Sequence, residues 1–162
     1  MTETDVLVDD IHTKKDFMKL YREAVRVEEI SEQELERLRC AQMGRGIQYS
    51  DMPVSHGNPH GLDAYAAEAD EMMAIIRRDR FRCMELFRET RACIDTVHSM
   101  QERQVLTERY LSQKWRFRDI ARTLCYSERY VINLHGKALA DMTLTPRAKA
   151  LLIEARGGEI DA

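Results

Sequence analysis

Four polar side chains along residues 128–137 are of the types that recognise nucleic acids. Arg129 can bond guanine at two positions, Asn133 can do the same for adenine, and Glu128 can accept a hydrogen bond from cytosine. Lys137 follows, and a lysine at this distance suits a phosphate group, which positions a protein without reading sequence. The residue types therefore predict binding to double-stranded DNA, provided that one element presents them together.

A single helix would present these residues on one side. Ser127 is a predicted N-cap, because its hydroxyl can accept from a free backbone N–H of the first turn. Val131, Leu134 and Ala138 follow at i, i+3 and i+7 and are predicted to point inward. The opposite face then carries six residues: Glu128, Arg129, Ile132, Asn133, Gly136 and Lys137. Because a glycine inside a helix is unfavourable, Gly136 predicts close packing against another helix or close approach of DNA.

Two shorter helical segments precede this one. The first is predicted to turn Val105, Leu106 and Tyr110 inward, and the second has a narrow apolar face made by Ile120, Ala121 and Leu124. The basic residues of the second segment suit phosphates: Arg116, Arg118 and Arg122. Three short helices with a tight turn between the last two are typical of a helix-turn-helix motif, whose final helix enters the major groove.

The stretch "VLTERYLSQKWRFRDIARTLCYSERYVINLHGKALADM" resembles region four of bacterial sigma factors. That pattern runs V-L-x-x-R-Y, then apolar-x-aromatic-x-[DE]-I-A-x-x-L-G-x-S, then x-x-x-V-x-x-[IL]-x-x-K-A-L. The match covers some 40 residues, at the anchor positions of all three helices. With an amino-terminal coiled coil before it, the whole chain looks like the small phage- and prophage-encoded regulators that carry a sigma-like carboxy-terminal module.

The resemblance implies roles for particular residues. Glu128, Arg129 and Asn133 match positions at which the sigma family contacts bases of the −35 promoter element. Ile132 stands where those factors often have arginine, so we expect contact with a thymine methyl group there or none. Lys137 matches a lysine of the motif that faces the DNA backbone. The phosphate-contacting residues that we predict are Arg116, Arg118, Arg122, Ser127, Tyr130 and Lys137.

The chain departs from the sigma pattern in two places. Cys125 replaces the glycine of the turn, where a left-handed backbone would be strained for any other residue. Arg116 replaces the serine or threonine that caps the second helix. The chain also has no room for the sigma domains that melt promoter DNA and bind core polymerase most strongly, so we do not expect a complete sigma factor.

Two long helices are predicted before the sigma-like region. One runs from about Ile11 to Met43, with a register slip of four residues around Ser31 in its apolar stripe: Phe17, Leu20, Ala24, Val27, Leu35, Leu38 and Gln42. The second stripe fits one heptad frame that is broken only by Asp79: Ala69, Met72, Ile76, Cys83, Leu86, Thr90, Cys93 and Val97. Glycine and proline cluster in a predicted flexible loop at about 44–61 between them.

We therefore predict an all-α fold. A long antiparallel helical hairpin, or coiled coil, occupies residues 1–98, and a three-helix helix-turn-helix domain occupies residues 99–142. Residues 143–162 form a short helix, with Thr145 as its N-cap and Gly157 as its stop, and a tail. This helix either covers the domain or helps to dimerise it.

Composition narrows the function classes. The formal net charge is −3, but residues 99–142 carry eight basic and five acidic side chains, a local basic patch as in nucleic-acid-binding modules. No apolar run is long enough for a signal peptide or membrane span, so a cytoplasmic location in a bacterial host is expected. No catalytic set, metal cluster or cofactor motif appears, so we expect neither an enzyme nor a bound metal or cofactor.

The expected partners are double-stranded DNA and further copies of the chain, because a lone helical hairpin buries little. We prefer a homodimer over a higher homo-oligomer, and an intramolecular bundle is the alternative. Host RNA polymerase is a second candidate partner. Two other functions stay open: a DNA-packaging protein like a small terminase subunit, which usually forms rings, and a protein-interaction module that docks on polymerase without binding DNA.

Overall fold

The computed structural model describes residues 10–44 and 60–157, and every regular element in these ranges is helical. The α-helices are α1 (Ile11–Gly44), α2 (His60–Asp95), α3 (Met100–Leu106), α4 (Phe117–Leu124), α5 (Glu128–Asp141) and α6 (Pro146–Gly157). A π-helical turn, Thr107–Leu111, continues α3. The predicted all-α class is confirmed. The loop predicted at about 44–61 falls largely outside the described residues, and its last residues already belong to α2.

Contacts within the chain define two compact units. One, here called the hairpin unit, is Val25–Arg82, and the other, here called the helix-turn-helix unit, is Met1–Ala24 together with Cys83–Ala162. Both α1 and α2 contribute residues to each unit. The predicted division of the chain into domains 1–98, 99–142 and 143–162 rests on the sequence pattern, and it stays a prediction.

The hairpin unit pairs α1 with α2 in antiparallel fashion. Arg80 of α2 binds both Glu28 and Glu32 of α1, with its Nε 2.8 Å from a Glu28 carboxylate oxygen. Further along α1, Leu35 lies beside Met73 and Ile76 of α2. Residue numbers along α2 decrease as those along the facing α1 increase, so the two helices are antiparallel. This is the arrangement predicted for the helical hairpin.

The predicted register slip in α1 is wrong. Val27 is 51% exposed, so it lies off the stripe that packs against α2. Partly buried polar residues, Glu28 and Ser31, occupy the inner positions before Leu35 and keep the alternation of three and four. A pattern of apolar residues cannot detect these positions, because it skips the polar members of a stripe.

Asp79, the apparent break in the second stripe, is itself buried in the hairpin unit. Its carboxylate accepts a hydrogen bond from the Ser31 hydroxyl at 2.9 Å. The two irregular positions of the sequence pattern are therefore partners of each other, and the predicted heptad frame of α2 runs through Asp79 without a break. The other stripe positions from Ile76 to Val97 are buried as predicted.

The helix-turn-helix unit has a compact apolar centre beneath α5. Its buried members come from α3, α4 and α5, and they include most of the residues predicted to point inward: Val105, Ile120, Ala121, Val131 and Leu134. Phe117, Leu124 and Tyr126 pack around them. This core holds α4 and α5 together and leaves the far side of α5 uncovered.

The last helix also belongs to this unit. The Thr145 hydroxyl accepts from the backbone N–H of Ala148 at 3.1 Å, which confirms the predicted cap. Leu151 and Leu152 are buried, and Arg147 binds Glu85 of α2 with its Nε at 2.9 Å. These contacts join α6 to α2, and the two roles left open for α6, covering the domain or helping to dimerise it, stay predictions.

No helix in the described ranges combines the length and the apolar character that crossing a membrane would require.

Candidate nucleic-acid interface

Ser127 starts α5. Its backbone is extended, and its hydroxyl oxygen accepts from the Tyr130 N–H at 3.3 Å, while its carbonyl accepts from Val131 at 3.1 Å. The predicted N-cap is confirmed. The cap satisfies one of the free N–H groups of the first turn and fixes the point at which the chain enters the helix.

The turn before α5 has a left-handed residue at the position where the sigma pattern has glycine. Cys125 has φ 57° and ψ 40°, the left-handed conformation that usually calls for glycine. The Tyr126 N–H then bonds the carbonyl of Ala121 at 2.9 Å, which closes the end of α4. At the other end of α4, Arg116 makes no side-chain cap, as its residue type predicts. The turn therefore forms despite both departures from the sigma pattern.

The two sides of α5 differ in burial. Val131, Leu134 and Ala138 are buried as predicted. The four predicted base-reading residues are all exposed: Glu128, Arg129, Ile132 and Asn133. Lys137 is exposed on the same side of the helix. The structure thus gathers on one accessible helix face the side chains whose chemistry suits base edges.

The cations of α4 and α5 are not neutralised. Five exposed basic side chains have no carboxylate within ion-pair distance among the residues that the structure describes: Arg116, Arg118, Arg122, Arg129 and Lys137. Other cations of the same unit are paired, including Lys114 with Glu108 at 2.7 Å and Arg156 with Asp16 at 3.0 Å. Unpaired cations leave a positive potential at the surface, and a phosphate can bind them without displacing an existing partner.

Two of the predicted phosphate contacts have their polar groups already engaged. The Ser127 hydroxyl oxygen accepts the cap bond, although its own hydrogen stays available. The Tyr130 hydroxyl donates to the side chain of Gln101 at 3.0 Å, and its ring packs edge-on against Tyr126. A phosphate at Tyr130 must therefore compete with Gln101 for the hydroxyl hydrogen.

Gly136 lies in open space on the exposed side of α5. A Cβ atom built on it meets nothing within 4 Å. Of its two predicted explanations, close packing against another helix of this chain is therefore wrong. Close approach of DNA stays a prediction.

A buried polar pair beneath α5 went unnoticed in the sequence. The Tyr110 hydroxyl and His135 Nε2 lie 3.0 Å apart, and both residues are buried. Burial, together with the positive charges of Arg109 and Lys15, lowers the pKa of His135 to about 4. The imidazole is therefore neutral near pH 7 and ties α5 to the π-helical turn. His135 follows Val131 by four residues and therefore lies on the inward side of the helix, and this spacing could have predicted its burial.

Arg109 is enclosed by aromatic rings in the same layer. Its guanidinium lies 4.1 Å from the ring centre of Phe117, and it donates to the carbonyl of Trp115 at 2.9 Å. Arg22 also packs over the Trp115 ring, with its guanidinium carbon 4.0 Å from the ring centre. These contacts fix the segment that links the π-helical turn to α4, so they position α4 relative to the core.

Within ranges 10–44 and 60–157, no three histidine, cysteine or acidic side chains come together in a group that could hold a metal ion.

The chain matches no family model, and no curated protein or solved structure is significantly similar to it. Its likeness to sigma region four rests on the motif residues quoted above.

Proposed function

We propose that the protein is a sequence-specific regulator of transcription, of the phage or prophage type, that binds double-stranded DNA. The helix at residues 127–139 would read the major groove. One observation carries the proposal: α5 buries one side in the core and exposes Arg129, Asn133 and Lys137 on the other. Among the described residues, the two cations of this set have no acidic partner. A helix of this kind fits the major groove, where donors and acceptors differ for each base pair.

The proposed division of labour follows from the side-chain chemistry. Arg129 suits guanine, Asn133 suits adenine, and Ile132 offers an apolar contact to a thymine methyl group. The phosphates are taken by the cations of α4 and by Lys137, whose binding releases counterions and makes affinity depend on salt. The role is one of binding and needs no catalytic group.

A rigid presentation of α5 supports sequence reading. The Ser127 cap fixes its start, and the bond between Tyr110 and His135 fixes its middle from beneath. Side chains whose supporting backbone is held in place lose less freedom on binding, which favours affinity and discrimination between sites.

The first experiment selects DNA fragments from the source genome with the purified protein at two salt concentrations. We expect one short site to be enriched, with an affinity that falls steeply as salt rises. Arg129→Ala and Asn133→Ala are expected to cost about 1–3 kcal/mol at that site and to relax its specificity. Lys137→Ala is expected to weaken all sequences alike and to lower the salt slope by about 1.

Arg37→Ala is the matched control, because Arg37 is an exposed arginine of the hairpin unit, outside α4 and α5. It is expected to leave DNA affinity unchanged. No enrichment at either salt, or an equal and uniform loss for all the α5 variants, would contradict base reading by this helix. Unchanged affinity of Arg129→Ala together with a stable complex with RNA polymerase would instead support the protein-interaction function.

A further inference from the structure

The hairpin unit has a very small core of its own. Among the residues of this unit whose side chains the structure describes, the buried apolar ones are Leu35 at 8% exposure and Ile76 at 6%. Large apolar side chains remain exposed, including Phe81 at 68% and Ile30 at 58%. Isolated helices gain most of their stability from packing, and ordering each residue costs about 1–2 kcal/mol of entropy. A further packing surface would therefore stabilise this part of the molecule.

One side of the hairpin unit offers such a surface. A groove of about 440 Å³ runs between α1 and α2, and its floor is apolar: Leu35, Met73 and Ile76. Met73 is still 38% exposed, so the floor is only partly covered. Phe81, which is exposed, follows Arg77 by four residues on α2 and so lies on the same side of that helix.

The two walls of the groove differ in charge. The α1 wall carries Glu32, Glu36 and Arg39 and is acidic on balance, whereas the α2 wall carries Arg77 and Arg80 and is basic. Arg80 is already bound by Glu28 and Glu32. Glu36 and Arg77 are exposed; Glu36 lies 3.8 Å from Arg39 of its own helix, and neither Glu36 nor Arg77 has a partner on the facing helix among the described residues.

We propose that this groove is the interface of a homodimer in which α1 of each copy packs antiparallel on α2 of the other. A two-fold axis parallel to the helices produces this pairing, because it exchanges the two walls while the apolar floors face each other. Glu36 of each copy then approaches Arg77 of the other, so the contact forms twice. A two-fold axis perpendicular to the helices would set acidic wall on acidic wall and basic on basic, which electrostatic repulsion disfavours.

Mass measurements on the full-length protein, without DNA, test the proposal. Light scattering over a dilution series is expected to give twice the 18.9 kDa chain mass, with dissociation at low concentration. Glu36→Arg and Arg77→Glu are each expected to weaken self-association about tenfold or more, because each sets like charges together at two symmetry-related contacts. Mixing the two variants is expected to restore dimers, since both contacts in the mixed dimer join opposite charges.

Glu34→Arg is the matched control, because Glu34 is an exposed glutamate of the same helix that does not line the groove. It is expected to leave self-association unchanged. Helical circular dichroism of each variant distinguishes lost association from lost folding, and mixing cannot repair a folding defect within one chain.

Three results would overturn the proposal: a monomer at all concentrations, a ring of more than two copies, or equal weakening by Glu34→Arg and Glu36→Arg. Because no DNA is present, a negative result leaves the proposed reading of DNA by α5 untouched. Conversely, a dimer that does not bind DNA would support the proposed interface and contradict the proposed reading of DNA by α5.

Discussion

Arg80 of the hairpin unit is held by Glu28 and Glu32 of the facing helix, whereas Arg129 of the helix-turn-helix unit has no carboxylate within ion-pair distance among the described residues. Both are exposed arginines in α-helices. The first is paired inside the chain and helps to set which turn of α1 faces which turn of α2. The second keeps its donors free for a group from outside.

Paired polar groups also occur between helices in both units. The Ser31 hydroxyl bonds the Asp79 carboxylate in the hairpin unit, and Tyr110 bonds His135 beneath α5. These buried pairs help to define how the helices pack, whereas the unpaired, exposed cations of α5 form a surface. Whether a polar side chain has a partner therefore says more about its role than its residue type does.

The largest expected effect concerns the buried pair in the helix-turn-helix unit. Because the pKa of His135 is about 4 when folded and near 6.5 when unfolded, the unfolded chain takes up this proton first on acidification. The free energy of unfolding should fall as pH drops from about 6.5 to 4, by on the order of 3 kcal/mol. Urea denaturation across this range measures the loss. His135→Gln should flatten the slope, and an unchanged slope would contradict a buried neutral imidazole.

The second effect compares the two arginines directly. Arg129→Ala is expected to lower affinity for the selected DNA site by about 1–3 kcal/mol and to leave the melting temperature unchanged, because it removes no hydrogen bond or ion pair among the described residues. Arg80→Ala is expected to lower the melting temperature, because it removes a link between α1 and α2. Fluorescence anisotropy and thermal circular dichroism measure the two quantities. A large loss of stability in Arg129→Ala would show that Arg129, like Arg80, contributes to the fold.

Cys125 provides a smaller and purely conformational test of the turn. Cys125→Gly is expected to raise the free energy of unfolding by about 1 kcal/mol, because glycine adopts the left-handed conformation without a Cβ clash. The gain is partly offset by the greater freedom of glycine in the unfolded chain. Cys125→Val, whose branched side chain suits this conformation worst, should be destabilising. Chemical denaturation would show the opposite order if the turn were relaxed.

A substitution at Gly136 tests separately how α5 packs and how it binds DNA. Gly136→Ala should stabilise the protein by about 0.8 kcal/mol, because alanine is the better helix former and the added Cβ enters open space. If the backbone of α5 approaches DNA closely at this point, the same methyl group lowers affinity. Equal affinity with a gain in stability would show that Gly136 is not a point of close approach.

The smallest effect is the coupling between Ser31 and Asp79 in the hairpin unit. A double-mutant cycle with Ser31→Ala and Asp79→Ala should give a coupling free energy of about 0.5 kcal/mol, the low end for one partly buried hydrogen bond. Additive losses would mean that the two polar positions do not stabilise the register together.

Local sequence signals predicted much of the helix-turn-helix unit. Ser127 caps α5 because a serine hydroxyl reaches its own first turn, and Val131, Leu134 and Ala138 are buried because their spacing places them on one side of a helix. The heptad frame of α2 was equally readable. These features depend on residues within two or three turns of each other, so the local chain determines them.

Pairing between distant residues was decided only by the tertiary structure. Ser31 and Asp79 are 48 residues apart, and only their contact explains why polar residues occupy an inner stripe and Val27 does not. The burial of His135 against Tyr110 and the lack of partners for Arg129 also depend on which helices meet. The amino-acid sequence by itself determined where helices begin and which side they bury, because those preferences are local. Only the fold decided which polar groups are satisfied, because a partner is a matter of distance in space.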